Sequence, residues 1–197
     1  MAIRNVVVEG DEILRKKCRE VGTVTDRIRQ TMEDMLETMR DAHGVGIAGP
    51  QVGVMRRMFV AEPEPGRVYF MIDPVILEKS GSQIDDEGCL SVPGMIGTVE
   101  RPDYIKLEAT DLEGNRQIYE FRDFDARVMC HESDHLEGVL FTDKATNIRD
   151  VADEYYDDYD DEDDEFDDED EEFKAEYYDF MDKEFAGDES FEEGADL

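Results

Sequence analysis

Two of the three histidines in the chain stand four residues apart, in the segment His131-Glu-Ser-Asp-His135. Four residues advance an α-helix by slightly more than one turn, so both imidazole rings leave the same face, roughly 6 Å apart, and can bind one cation. Glu132 lies beside them, where a carboxylate can accept a proton and return it. The spacing predicts a metal centre on a helix, and the alternative is a polar helix face with two incidental histidines.

Two histidines leave such a site incomplete, because catalytic zinc-type sites use three protein ligands and keep a fourth position for water. The candidate third ligand is Cys89, in the segment Glu87-Gly-Cys-Leu-Ser91, which we interpret as a loop. A cysteine that follows a glycine in a loop can present a thiolate, which binds borderline-soft divalent metals well. The alternative for Cys89 is a small, buried apolar residue.

Two helices are predicted from apolar residues that recur at helical spacing. The first covers residues 26–42, with Thr25 or Asp26 as its N-cap and a stripe of methionines that we assign to the core. The second covers residues 123–136, begins at an aspartate and ends before Gly138, so that it carries the histidine pair.

Strands are predicted at residues 58–61, 68–71 and 75–78, and an antiparallel hairpin at residues 104–110 and 116–121. Residues 44–53 contain four glycines and a proline, so they cannot form a regular helix and must turn tightly or approach another group closely. Strands and helices together predict an α+β fold.

The chain has 197 residues and a net charge of −33. This acidity disfavours direct binding to nucleic acid or to anionic lipid. The sequence offers no run of apolar residues long enough for a signal peptide or a membrane span, so we expect a cytoplasmic protein. An odd number of cysteines, three, argues against a disulfide framework.

The charge is concentrated at the C-terminal end. Residues 150–197 hold 26 acidic and two basic residues, and also ten of the eighteen phenylalanines and tyrosines. Self-repulsion predicts a largely disordered segment, with a short acidic helix over residues 171–186 where aromatic residues fall at helical spacing. Two roles remain open for this tail: a solubilising extension, or docking onto a basic protein surface.

Three segments together resemble a known family. Gly44-Val-Gly-Ile-Ala-Gly-Pro-Gln51, Glu87-Gly-Cys-Leu-Ser91 and His131-Glu-Ser-Asp-His135 occur in the order, and at about the separations, of the three motifs of peptide deformylases. The resemblance implies a catalytic domain at residues 1–148, with antiparallel strands packed around a metal-binding helix, followed by the acidic tail at residues 149–197. It also implies an enzyme that removes the formyl group from N-formylmethionine at the N-terminus of nascent peptides and releases formate.

The resemblance assigns roles to individual residues. Glu132 is expected to be the general acid and base, with the Gln51 side-chain amide and the Leu90 backbone N–H as donors to the developing oxyanion. Val45 and Gly46 are expected to meet the substrate backbone. The implied metal is ferrous iron, with zinc, nickel and cobalt also open. Its implied ligands are Cys89, His131 and His135.

Substrate contacts are predicted only in outline. An apolar pocket sized for methionine is expected to have Val45, Phe124 and Val128 as walls. Arg101 is expected either to contact the substrate chain or to form a surface ion pair.

Three positions depart from the family pattern: Ile47 and Gly49 in the first segment, where looser substrate positioning is expected, and Cys130, which we expect to pack rather than bind metal. Two other functions remain open. One is a metallopeptidase or other amidase; the other is a degenerate deformylase-like or other metal-binding protein that acts through its acidic tail.

Overall fold

The computed structural model describes residues 2–151. Within that range the chain forms two α-helices and eight β-strands. The helices are α1 (Asp26–Asp41) and α2 (Asp123–Leu136). The strands are β1 (Gly46–Ala48), β2 (Met58–Ala61), β3 (Tyr69–Ser80), β4 (Gln83–Cys89), β5 (Val92–Arg101), β6 (Tyr104–Thr110), β7 (Arg116–Arg122) and β8 (Thr146–Asp150). The predicted α+β class is confirmed.

The strands form two sheets. One has five strands in the order β1-β2-β3-β6-β7, with every neighbouring pair antiparallel. The other has three strands in the order β4-β5-β8. Helix α2 contacts strands of both sheets, which places the histidine segment between them.

Both helices are held by buried apolar side chains. Met32, Met35 and Met39 of α1 are fully buried against β1 and β2, so the methionine stripe belongs to the core, as predicted. Val128 and Met129 of α2 belong to a second core cluster under the five-stranded sheet. The orientation of α2 is therefore fixed by packing on its apolar face.

The helix ends agree in position with the predictions and differ in one detail. Thr25 caps α1, its hydroxyl oxygen accepting from the Ile28 N–H at 3.4 Å. Helix α2 begins at an aspartate, Asp123, as predicted; Arg122 holds its N-cap position with no side-chain cap, and Asp123 and Asp125 lie inside the first turn, where acids favour the helix dipole. The one difference is that α1 ends at Asp41 and not at residue 42. Gly138 follows α2 with a φ of 76°.

Two differences from the predicted strands have local causes. The segments 68–71 and 75–78 belong to one strand, β3, which bulges at Asp73 (φ 48°), whose carboxylate accepts from the backbone N–H groups of Val21 and Gly22 at 2.8 Å each. The segment expected to be a loop around Cys89 is instead a hairpin of β4 and β5, and Cys89 is the last residue of β4. Several glycines and a proline obscure the alternating pattern of this hairpin.

The chain divides after Arg149, and the residues up to that point form one compact unit. The predicted disorder of the acidic tail and the predicted helix over residues 171–186 concern residues that lie outside the described range. In the part of the chain that is described, neither helix is long and apolar enough to cross a membrane.

Candidate metal centre

The end of β4 and one face of α2 bring a sulfur and two ring nitrogens together. The His135 Nε2 atom lies 3.3 Å from both the Cys89 Sγ atom and the His131 Nε2 atom, and the ligand atoms of the three residues all lie within 4.8 Å of one another. A tetrahedral ion with ligands at about 2.0–2.3 Å requires ligand separations of roughly 3.4 Å. The three donors therefore fit one zinc-type ion.

Glu87 fixes the orientation of one of these histidines. Its Oε2 atom lies 3.0 Å from His131 Nδ1. Burial alone would raise the pKa of Glu87, but hydrogen bonds from Arg101 and His131 outweigh it and hold the pKa far below its usual range. An ionised carboxylate only accepts hydrogen bonds, so His131 donates through Nδ1, which leaves Nε2 as the ring atom that faces the shared centre and would bind a metal.

Arg101 is neither a substrate contact nor a surface ion pair, and both expectations for it are wrong. It is only 4% exposed, and its Nε and Nη2 atoms donate to the two oxygens of Glu87 at 2.8 Å each. Arg127 Nη1 also donates to Glu87 at 2.8 Å. A carboxylate buried this deeply requires cationic partners, and the two arginines supply them.

Glu87 has no predicted role, although two periodicities point to one. Glu87 and Cys89 are two residues apart on one strand, so both side chains leave the same face of the sheet. Arg127 and His131 are four residues apart on α2 and therefore also share a face. If Cys89 faces the metal centre, the side chain of Glu87 must therefore face the same side of the sheet.

Replacing Glu87 by glutamine should lower the free energy of unfolding of the metal-free protein by about 3 kcal/mol at about pH 7, because two buried arginines lose the negative charge that they share. The pKa of Glu87 is lower in the folded than in the unfolded protein, so its ionised carboxylate stabilises the fold at pH values above 4.5, the ordinary pKa of the group. This contribution is lost as the pH falls toward the lower pKa of the folded state. The difference between the two proteins should therefore shrink in acid.

Denaturant unfolding at about pH 7 and at about pH 3 measures both effects. Glu100→Gln is the matched control, because Glu100 lies on β5 and is exposed, and it should change stability by no more than about 0.5 kcal/mol. An equal deficit for Glu87→Gln at both pH values would contradict the assigned ionisation.

Glu132 lies next to the ligands and is 3% exposed. Burial raises its pKa to about 7, although His131 acts in the opposite direction. Its Oε2 atom is buried and has no hydrogen-bond partner among the described residues. A buried, unpartnered carboxylate oxygen with a pKa near neutrality is suited to take up and release a proton.

The glycine-rich segment makes room for this carboxylate. A Cβ atom at Gly46 would lie 2.7 Å from Glu132 Cδ and 2.9 Å from its Cγ, closer than real Cβ contacts. A Cβ atom at Gly49 would lie 2.6 Å from the Val54 carbonyl oxygen. Gly49 is therefore packed tightly against backbone, and Ile47 is fully buried. The looser substrate positioning expected at these two departures stays a prediction.

Gln51 is held with its amide nitrogen toward the centre. Its Oε1 atom accepts from the Ala48 N–H at 2.8 Å, and its Nε2 atom donates to Ser91 Oγ at 3.1 Å and lies 3.5 Å from Cys89 Sγ. Leu90 directly follows Cys89 in the turn between β4 and β5. Both expected oxyanion donors therefore lie beside the cysteine.

The predicted pocket residues differ in exposure. Val45 is 43% exposed and Phe124 is 49% exposed, whereas Val128 is 5% exposed and belongs to the core cluster around α2. Their assignment to one methionine pocket stays a prediction. Cys130 is buried in the same core cluster and burial raises its pKa, so it packs rather than joining the ligand group, as expected.

A cysteine sulfur and two imidazoles around one centre, with a buried carboxylate beside them on the helix, are the arrangement of a metal-dependent hydrolase. The comparison with known families is more specific. Residues 3–151 match the family described as polypeptide deformylase, and the chain belongs to that family.

Similar proteins cover the same part of the chain. Peptide deformylase 1 of Clostridium perfringens is 53% identical over 146 residues, which are 73% of this chain and 98% of that protein. The peptide deformylase of Finegoldia magna is 50% identical over 151 residues, 75% of this chain and 93% of that protein. The crystal structure of peptide deformylase from Thermotoga maritima superposes with a TM-score of 0.72 at 36% identity, covering 74% of this chain and 99% of that one.

Proposed function

We propose that this chain removes the formyl group from N-formylmethionyl peptides by a metal-dependent hydrolysis that uses Glu132 to move protons. Family membership supports the reaction. The observation that carries the mechanism is the buried Oε2 atom of Glu132, which lacks a hydrogen-bond partner in the described part of the chain. A metal site with a purely structural role has no need of such a group.

Cys89, His131 and His135 would hold the ion. One thiolate and two imidazoles suit iron, zinc, nickel or cobalt, and we assign ferrous iron as the resident metal. When bound, a divalent cation polarises a carbonyl oxygen and lowers the pKa of water to about 7. Anaerobic purification followed by metal analysis tests the assignment, and zinc as the only metal recovered would contradict it.

Glu132 would serve in both directions of proton transfer. Its Oε2 atom accepts a proton from the attacking water, and the carboxylic acid then donates that proton to the departing amine, which leaves formate and a free N-terminus. Burial raises the pKa of this carboxyl group above its ordinary value, so the carboxylate is a stronger base than an exposed one and accepts the proton of water more readily.

Gln51 and Leu90 would stabilise the oxygen on which negative charge develops. The Nε2 atom of Gln51 has one short hydrogen bond, to Ser91, and one long contact of 3.5 Å to the cysteine sulfur. The second N–H therefore makes only the long contact with the cysteine sulfur and is available to donate to a substrate oxygen beside it. A donor of this kind contributes about 3–4 kcal/mol to transition-state stabilisation.

The substrate backbone would add to the free edge of β1. This strand stands first in the five-stranded order, so only β2 pairs with it within residues 2–151. An extended peptide can bind such an edge through main-chain hydrogen bonds. Because Gly46 touches Glu132, a peptide aligned along Val45 and Gly46 brings its N-terminal end to the catalytic carboxylate.

An assay of formate release from a formylmethionyl peptide, alongside internal cleavage of an unformylated peptide, tests the proposed reaction. Formate release without internal cleavage supports the deformylase. Internal cleavage would favour a metallopeptidase, and loss of both activities in a fully metallated chain would favour a degenerate, metal-binding protein.

The tail is proposed to dock onto a basic protein, on the evidence of its composition alone. Removing residues 152–197 should leave formate release from a short peptide unchanged and abolish binding to immobilised polylysine, a basic probe. A variant in which all ten aromatic residues of segment 150–197 become serine keeps the charge and serves as the control. If that variant binds polylysine as well as the unmodified chain does, the interaction is nonspecific charge attraction, which would contradict docking.

A further inference from the structure

Asp134 lies on α2 between the two histidines, and its carboxylate links two cations from elsewhere in the chain. Its Oδ2 atom accepts from Arg101 Nη1 at 2.5 Å and from Lys144 Nζ at 2.5 Å. The Arg101 side chain is 3% exposed and that of Lys144 is 39% exposed, so Asp134 joins a surface lysine to a buried guanidinium.

The same guanidinium continues to the metal centre. Two other nitrogens of Arg101 donate hydrogen bonds to the Glu87 carboxylate, and Glu87 in turn contacts His131 Nδ1. Because a guanidinium is planar and its donors are fixed relative to one another, the contact with Asp134 sets the plane in which Glu87 is held. The orientation of the His131 ring therefore depends on a carboxylate three contacts away, that of Asp134.

Only one of the two histidines has its second ring nitrogen held by a hydrogen bond. Within the described residues the Nδ1 atom of His135 is buried without a hydrogen-bond partner, whereas the Nδ1 atom of His131 is held by Glu87. The stability of the ligand set should therefore depend most on the contacts that reach His131.

We propose that Asp134 is a positioning residue for the metal centre, acting through Arg101 and Glu87 on His131, and that Lys144 holds Asp134 in place from the surface. The inference rests on the proposed metal centre. Asp134 touches neither ligand atoms nor the expected position of the substrate, so its effect should appear first in how firmly the metal is held.

The test uses the full-length chain loaded with nickel and measures the rate of metal loss to an excess of chelator. Asp134→Asn keeps the size of the side chain and removes its charge, and it should speed metal loss by about 10-fold, the lower end of the range for outer partners of ligating histidines. Lys144→Met leaves the contact between Arg101 and Asp134 intact and should speed it by a smaller factor.

Asp34→Asn is the matched control. Asp34 lies on the other helix, is 6% exposed, and accepts from Arg4 Nη2 at 2.9 Å, so the same substitution removes an ion pair of a buried carboxylate away from the metal centre. It should lower the thermal midpoint of the metal-free protein and leave metal loss unchanged.

Two results would overturn the inference: metal loss from Asp134→Asn at the wild-type rate, or equal acceleration by Asp34→Asn, which would indicate general destabilisation. A different failure concerns the proposed function itself. If the unmodified chain does not retain nickel, then Cys89, His131 and His135 form no metal centre. In that case the proposed function fails, and Asp134 has no metal centre to position.

Discussion

Replacing Glu132 by glutamine should slow formate release by about 10⁴-fold, the upper end of the range for general acid–base catalysis, while the protein keeps its metal. Glutamine has the same size as glutamate and fits the same buried space. However, its amide can neither accept the proton of the attacking water nor return one to the departing amine. One substitution therefore removes both transfers of the catalytic cycle.

The measurement is kcat for a formylmethionyl peptide together with the metal content per chain. Glu137→Gln is the matched control, because Glu137 follows α2 and forms ion pairs with Lys17 and Arg57, away from the ligands. It should retain activity. Full activity of Glu132→Gln would refute the assigned role, and loss of its metal would show that Glu132 supports the ion rather than moving protons.

Much of this site is predictable from local sequence, because its main feature is local. The pair His131 and His135 needs only one helix turn to converge, and the residues that shape α2 lie within the same segment. The periodicity of α1 and the hairpin of β6 and β7 also follow from neighbours along the chain, and the structure confirms them.

The parts that sequence analysis missed depend on contacts between distant segments. Cys89 is the last residue of a strand whose glycines interrupt the alternating pattern, so the sequence predicts a loop where the structure has the hairpin of β4 and β5. Arg101 carries no local sign of burial, because its burial is made favourable by Glu87 and Asp134, fourteen and thirty-three residues away. Such charge pairing cannot be inferred from periodicity.

Placing alanine at Gly46 should lower kcat at least about 100-fold without loss of metal. The new Cβ atom would overlap the Glu132 carboxylate, lying 2.7 Å from its Cδ atom, so the carboxylate must move by about 1 Å, and a displacement of this size typically costs about 100-fold in rate. Overpacking should also reduce the free energy of unfolding by about 1–3 kcal/mol.

Gly88→Ala is the matched control, since Gly88 precedes Cys89 and a Cβ atom there would make ordinary contacts, 3.5 Å from Ile96 Cγ2. It should leave kcat and metal content nearly unchanged. The cause of the Gly46 effect is isolated by combining Gly46→Ala with Glu132→Gln. If alanine acts by displacing the carboxylate, the double variant should be no slower than Glu132→Gln alone, because neighbouring sites that act through one group are not additive. A further 100-fold loss would instead show that the added methyl group obstructs the substrate itself.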